Sequence, residues 1–266
     1  MFATEAPVSI QAQGLVKTYR GPGKTRVKAL DGLTLSVTSG TIFALVGPNG
    51  AGKTTTVKIL TTLAVADEGK ATVEGIDVAA APGRARSVIG VVGQRSGADP
   101  MATGRENLVL QGHLYGMPTK TAKARADELL DRFQLTGAAG RFVRTYSGGM
   151  QRRLDVALGL MHKPRVLFLD EPTTGLDPES RAAMWDEITT LAVGDNVTVL
   201  LTTHYLDEAD KLASRLAIVD GGRVVVVGEP EQLKRELDVT SLDEVYLRYA
   251  GRRYSDATRL TEGAGR

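Results

Sequence analysis

Nine residues, GPNGAGKTT from Gly47 to Thr55, constrain the fold more than any other part of this 266-residue chain. They fit the pattern G-x-x-x-x-G-K-S/T. Ahead of them, Thr41 to Val46 (TIFALV) is short, apolar and rich in β-formers, as a buried strand is, and Thr54 to Leu63 reads as a helix. Glycines at 47, 50 and 52 allow positive φ and bring backbone N–H groups close to an anion, while the helix N-terminus adds its partial positive charge. Chance places the bare pattern in a chain of this length only about once in a hundred times, and the strand-before, helix-after context lowers that further. The stretch is therefore read as a P-loop. Lys53 is expected to reach the β- and γ-phosphates of a nucleotide, and the Thr54 hydroxyl to bind Mg²⁺.

Thirty-three Lys and Arg against 31 Asp and Glu leave a formal charge of +2, too small for the broad basic field of a nucleic-acid binder. Cysteine is absent, which excludes disulfides and thiolate metal sites. The opening MFATEAPVSIQ has no basic region leading to an apolar core, so a signal peptide is not expected. Runs such as Val197 to Leu201 and Val224 to Val227 fall far short of a membrane span, so any link to a membrane is expected to come through a partner.

Val8 to Val37 alternates apolar and polar residues around a GPGK turn at Gly21 to Lys24, as antiparallel strands do. Within it, Tyr19 is either a cross-strand packing residue or a platform for an adenine ring. Asp67 to Gly75 reads as turn, strand and turn, and Val88 to Val92 as a strand ending at Gly93-Gln94. Thr103-Gly104-Arg105-Glu106 fits a capping box for a helix to about Tyr115, and Lys120 to Phe133 has helical spacing. Ser147 is placed to cap a helix beginning at Gly148-Gly149 and stopped by Pro164. Arg165 to Glu171 (RVLFLDE) reads as a buried parallel strand carrying Asp170 and Glu171 to the mouth of the sheet. Asp170 there suits a Mg²⁺ shell and Glu171 the orientation or deprotonation of a water. Asp177 and Pro178 open a helix to Leu191, Asn196 to Thr202 is a further buried strand ending near His204, and Tyr205 to Ser214 a helix. Leu216 to Asp220, a GGR turn and Val224 to Val227 form a terminal hairpin.

Taken in order, these pieces resemble the nucleotide-binding subunit of an ABC transporter across nearly the whole chain. Tyr19 matches the A-loop aromatic, Gly47, Pro48, Asn49, Gly50, Ala51, Gly52, Lys53, Thr54 and Thr55 the Walker A loop, and Gln94 the Q-loop. Ser147, Gly148 and Gly149 match the heart of the signature, Asp170 and Glu171 the end of Walker B, Gly175 to Asp177 the D-loop, and His204 the switch histidine. The signature reads YSGGM, with Tyr146 and Met150 in place of the common Leu and Gln. YSGGMQRRLD, GRENLVLQGHLYG and the tail SLDEVYLRYAGRR look like the daunorubicin-resistance ATPases of the ABC-2 exporter group.

The resemblance implies an α/β fold: a RecA-like P-loop NTPase core with an antiparallel β subdomain and a helical signature subdomain. It implies an ATPase domain over 8–230, with the helical part at about 95–163, and a C-terminal extension over 231–266. ATP and Mg²⁺ are the implied cofactors, with Thr54, Gln94 and Asp170 on the metal, Glu171 orienting water and His204 holding the γ-phosphate. Tyr19, Gly47 to Thr55 and Asp177 would contact nucleotide, and Ser147, Gly148 and Gly149 would do so from the second subunit of a head-to-tail homodimer. The implied place is peripheral, on the cytoplasmic face of the membrane against an ABC-2 permease, powering export of a drug-like or polyketide compound. An importer ATPase and an ABC-2 exporter of lipid or polysaccharide share these motifs. A chromosome-associated relative needs a coiled coil between Gln94 and Ser147 that the interval is too short to hold, and a ribosome-acting one generally carries two cassettes.

Overall fold

In the computed structural model, which describes residues 7–21, 23 and 25–249, the alternating segment ahead of the P-loop forms two long antiparallel strands. These are β1 (Val8–Arg20) and β2 (Arg26–Thr38), whose period of two turns Ile10, Ala12, Leu33, Leu35 and Val37 inward, Leu15 joining them after an irregularity at Gly14 shifts the register. Next come β3 (Ile42–Val46), α1 (Lys53–Leu60), β4 (Glu68–Val73), β5 (Ile76–Asp77), α2 (Pro82–Val88) and β6 (Ile89–Val92). The helical stretch holds α3 (Gly104–Leu114), α4 (Thr119–Arg132) and α5 (Gly148–Gly159). It is followed by β7 (Val166–Asp170), α6 (Pro178–Val193), β8 (Thr198–Thr203), α7 (Leu206–Leu212), β9 (Arg215–Asp220), β10 (Arg223–Gly228) and α8 (Pro230–Glu236).

Two sheets result, one antiparallel in the order β2-β1-β4-β5 and one in the order β10-β9-β3-β8-β7-β6. In the second, β3 lies between β9 and β8 and runs parallel to both, and β8, β7 and β6 continue the parallel set. Its inner strands are buried on both faces. Phe43, Leu45, Phe168 and Leu200 join a core with α1 and the antiparallel sheet, while Ala44, Val46, Leu169 and Leu201 join a larger one with α3 to α7. Both faces being covered, these strands are continuously apolar rather than alternating, and their C-terminal ends carry the P-loop, Asp170 and Thr203 to one edge.

Several boundaries differ from those read in the sequence. Pro82 opens α2, which runs through Val88, so the strand begins one residue later than expected. α1 ends at Leu60 rather than Leu63 because Thr62 takes a positive φ, and α5 ends at Gly159, ahead of Pro164. Asn196, also at positive φ, turns the chain before β8, which starts at Thr198. The boundary expected at 230/231 falls at the start of α8, and residues 242–249 are helical too; Leu233, Leu242 and Val245 are buried in the larger core. Pro22 and Lys24 of the expected turn, and the part of the tail segment beyond residue 249, lie outside the described residues.

Candidate active site

β3 delivers the chain to the P-loop, and the loop is pinned from behind. The Gly222 N–H, in the β9–β10 turn, donates to the Ala51 carbonyl, and the Asp31 N–H donates to the Gly222 carbonyl, both at 2.9 Å. At the N-cap of α1 stands Gly52 with φ 110°, where a Cβ would come within 2.7 Å of the Ala29 carbonyl, so only glycine fits. No side chain caps α1. Its first N–H groups are therefore left for an anion, which the helix dipole favours. Lys53 is buried and donates to the carbonyls of Gly47 at 2.7 Å and Pro48 at 3.1 Å. Burial pulls its pKa below the ordinary lysine value, with the charges of Glu171 and Asp170 opposing.

Across from Lys53, the end of β7 supplies the two carboxylates. Asp170 Oδ1 accepts from the hydroxyl of Thr202 on β8 and lies 3.4 Å from the Thr54 hydroxyl. Glu171 takes φ 51°, an uncommon conformation for a non-glycine residue, which breaks the strand direction. Its N–H is held by the Thr202 carbonyl at 3.1 Å, and its carboxylate stands 3.3 Å from His204 Nδ1 and 3.4 Å from the Thr174 hydroxyl. Gln94 and Glu171 line the P-loop cavity, of about 220 Å³, with residues 48–55, Val27 and Ala29. Thr54, Asp170 and Gln94 offer a hydroxyl, a carboxylate and an amide oxygen. That sparse all-oxygen set suits Mg²⁺, which takes its other ligands from substrate phosphates and water; among the described residues no group of three His, Cys, Asp or Glu side chains stands ready for a metal.

The other expected residues lie apart from this cavity. Gly148 faces a second one, of about 250 Å³, together with Gln151, Arg152, Asp155, Gly175 and Leu176; only Gln94 and Glu171 line both. The Ser147 hydroxyl accepts from the Met150 N–H at 3.3 Å as the cap of α5, leaving its own proton free to donate. Asp177 caps α6 through the Ser180 N–H at 2.9 Å, which holds its pKa below the ordinary value. Ser180 also packs on Gly149, where a Cβ would lie 2.6 Å from its hydroxyl. Tyr19 does not line the P-loop cavity, although Val27, its cross-strand partner, does. Tyr146, the departure from the common signature, is buried with its hydroxyl on the Ala138 carbonyl at 2.8 Å. A larger cavity, about 680 Å³, opens at the other end of the sheet beside Arg165 and Thr198.

Sequence reading missed Thr202, Glu208, Arg152 and Asp155. The last two had a signal: charges three apart in a helix whose neighbours Leu154, Val156, Ala157 and Leu158 are all apolar mark a buried pair.

The family described as ABC transporter matches residues 30–174. The daunorubicin resistance ATP-binding protein DrrA3 of Streptomyces coeruleorubidus is 49% identical over 246 residues, covering 92% of this chain and 76% of that protein. The daunorubicin/doxorubicin resistance ATP-binding protein DrrA of Streptomyces peucetius is 49% identical over 234 residues, 88% of this chain and 69% of that one. Among solved structures, the dimeric post-hydrolysis state of the ATP-binding cassette MJ0796 bound to ADP and Pi superposes with a TM-score of 0.75 at 26% identity, covering 83% of this chain and 98% of that one.

Proposed function

The chain belongs to the ABC transporter family and is its ATP-binding, ATP-hydrolysing subunit; from that premise we propose how its residues do the work and on what. The convergence of Lys53, Thr54, Gln94, Asp170 and Glu171 around the P-loop carries the reading. The uncapped N-terminus of α1 and Lys53 hold the β- and γ-phosphates of ATP, with Tyr19 beside the adenine. Thr54, Asp170 and Gln94 would hold Mg²⁺, which would neutralise phosphate charge. Glu171 orients a water and takes its proton as the oxygen bonds to the γ-phosphorus and the bond from that phosphorus to the bridging oxygen breaks, ADP leaving with its electron pair, and His204, in contact with Glu171, holds the γ-phosphate in line.

Because Gly148 faces a separate cavity, the signature is assigned to the nucleotide of a second copy, head to tail about a two-fold axis. That MJ0796 is dimeric in a solved structure supports this. No helix among the described residues is long and apolar enough to cross a membrane, so the transport path is assigned to a separate ABC-2 permease, with this chain peripheral on its cytoplasmic side. Leu110 and Leu114 on α3, with Met101 and Phe142, are exposed apolar residues in the 95–163 region and suit contact with it. The names of the relatives support drug-like or polyketide cargo.

The test is Glu171→Gln in the purified chain. Affinity for a fluorescent ATP analogue is expected to stay at the wild-type level, turnover to fall roughly 10²- to 10⁴-fold, and gel filtration with Mg-ATP to show a dimer. A variant that hydrolyses normally sinks the assignment. With its permease, the wild type is expected to lower cellular accumulation of an anthracycline and Glu171→Gln to abolish that effect; nutrient uptake lost on deletion would put an importer in its place.

A further inference from the structure

Arg152 lies five residues beyond Ser147 on the buried side of α5 and is 8% exposed. Its guanidinium donates to four backbone carbonyls. Nε reaches Pro172 at 2.7 Å, Nη1 reaches Gly93 at 2.6 Å, and Nη2 is shared between Asp170 and Glu171 at 3.2 Å each. One turn further along, Asp155 accepts from the Ser96 hydroxyl at 2.8 Å and the Gly97 N–H at 3.1 Å. Through these two side chains α5 grips the backbone on both sides of Gln94 and on both sides of the Glu171 peptide.

The same loop is held from the other direction. The Thr173 hydroxyl donates to Glu208 on α7 at 2.7 Å, and the Trp185 indole N–H donates to that carboxylate oxygen at 3.2 Å. Glu208 is fully buried, one turn past His204. An apolar side chain at 152 would be cheaper to bury, and burial does depress the Arg152 pKa and raise that of Asp155. What arginine offers is a rigid planar fork whose five donors can span several acceptors at once. Its neighbour Arg153 is only half-buried and reaches Gln134 at 3.5 Å, so the role belongs to one arginine of the pair.

We propose that Arg152, backed by Asp155, is a positioning residue that ties the signature helix to the catalytic carboxylate of its own subunit, so that nucleotide bound at one site of the dimer sets the geometry of the other. This rests on the two-site dimer proposed above, in which Ser147 to Gly149 face the second subunit's ATP while Glu171 serves its own. Closing α5 onto that nucleotide moves the carbonyls of Asp170, Glu171 and Pro172, and Gly93 ahead of Gln94, through one guanidinium. Hydrolysis at the two sites is then cooperative.

The experiment measures turnover against ATP concentration, and nucleotide affinity separately, for the full chain and for Arg152→Gln, Arg152→Lys and Ser96→Ala. Wild type is expected to show a Hill coefficient above unity. Arg152→Gln should lower kcat roughly 10- to 100-fold with nucleotide affinity kept within about twofold, as displacement of a reacting group does, and bring the Hill coefficient to unity. Arg152→Lys should recover part of both, since an ammonium reaches some of the carbonyls from a single point. Ser96 is exposed, so Ser96→Ala keeps the fold and should lower the Hill coefficient with a smaller loss of kcat. Wild-type kcat and cooperativity in Arg152→Gln overturn the proposal. So does unchanged cooperativity in Ser96→Ala if the Arg152 variants fail to fold. A wild type that does not hydrolyse Mg-ATP, or a Glu171→Gln variant that does not dimerise, defeats the functional reading and this inference with it; a wild type that does both without cooperativity defeats this inference alone.

Discussion

Lys53 carries its charge in a place where burial works against it, and two main-chain carbonyls stand where phosphate oxygens would serve better. The side chain is therefore set to exchange weak neutral acceptors for anionic ones, and that exchange is a large share of what nucleotide gains on binding. Lys53→Ala is expected to weaken ATP binding roughly ten- to a hundredfold, the equivalent of about 1.5 to 3 kcal/mol for hydrogen bonds to a charged group. A fluorescent-nucleotide titration measures it, and unchanged affinity would remove the P-loop as the site. Glu171 shows the other side of residue-scale design. Its positive φ costs about 1 to 3 kcal/mol, and it persists because the Thr202 carbonyl and hydroxyl both hold the Glu171 N–H. The strained backbone aims the carboxylate away from β7 and toward His204.

Elements differ in how much of their placement is local. α3 is opened by a complete capping box, the Thr103 N–H donating to Glu106 at 2.8 Å and the Glu106 N–H to the Thr103 hydroxyl at 3.2 Å. Those bonds hold the Glu106 pKa below its ordinary value of 4.5. A depressed carboxylate contributes stability that is complete above the unfolded pKa and is lost as pH falls through the folded one. Glu106→Gln is thus expected to melt below wild type at neutral pH, with the gap closing as pH drops below 4.5; calorimetry across that range would show an unchanged gap if the reading were wrong. This cap was legible in the sequence because its partners are three residues apart, as were the P-loop, the Ser147 cap and the apolar strands β3 and β7. α2 was not, since PGRARSV buries only Ala85 and has no apolar stripe to read. Nor was the use of Arg152, whose carbonyl partners lie 18 to 59 residues away and meet only in the tertiary fold. Tyr19 stayed ambiguous for the same reason. Its strand partner Val27 reaches the cavity wall, while Tyr19 itself is exposed with the Lys17 ammonium 5.6 Å from its ring centre, a contact that no local pattern announces.

At the scale of the molecule, the signature and P-loop cavities share only Gln94 and Glu171, and the head-to-tail assembly proposed from that separation makes a prediction about mixed dimers. If the signature served the P-loop of its own chain, damage to either motif would be irreparable by a second chain. If it serves a second subunit, a chain with a broken P-loop still carries a sound signature, and the converse holds. Lys53→Ala breaks the first motif. Ser147→Asp breaks the second cleanly, because Asp caps a helix as well as Ser does while setting a negative charge against the γ-phosphate. Each variant alone is expected to be nearly inactive, having no composite site with both halves intact. Mixed in equal amounts they form heterodimers in half of the pairings, each with one intact site of two, so turnover should return to at most about a quarter of wild type. The coupling assigned to Arg152 lowers that ceiling, because the damaged site no longer helps the intact one. Recovery on mixing, measured by phosphate release across the mixing ratio and greatest near equal amounts, supports head-to-tail sharing; a mixture no more active than the mean of its two components shows that each chain completes its own site, and the dimer would then have to be rebuilt on another face.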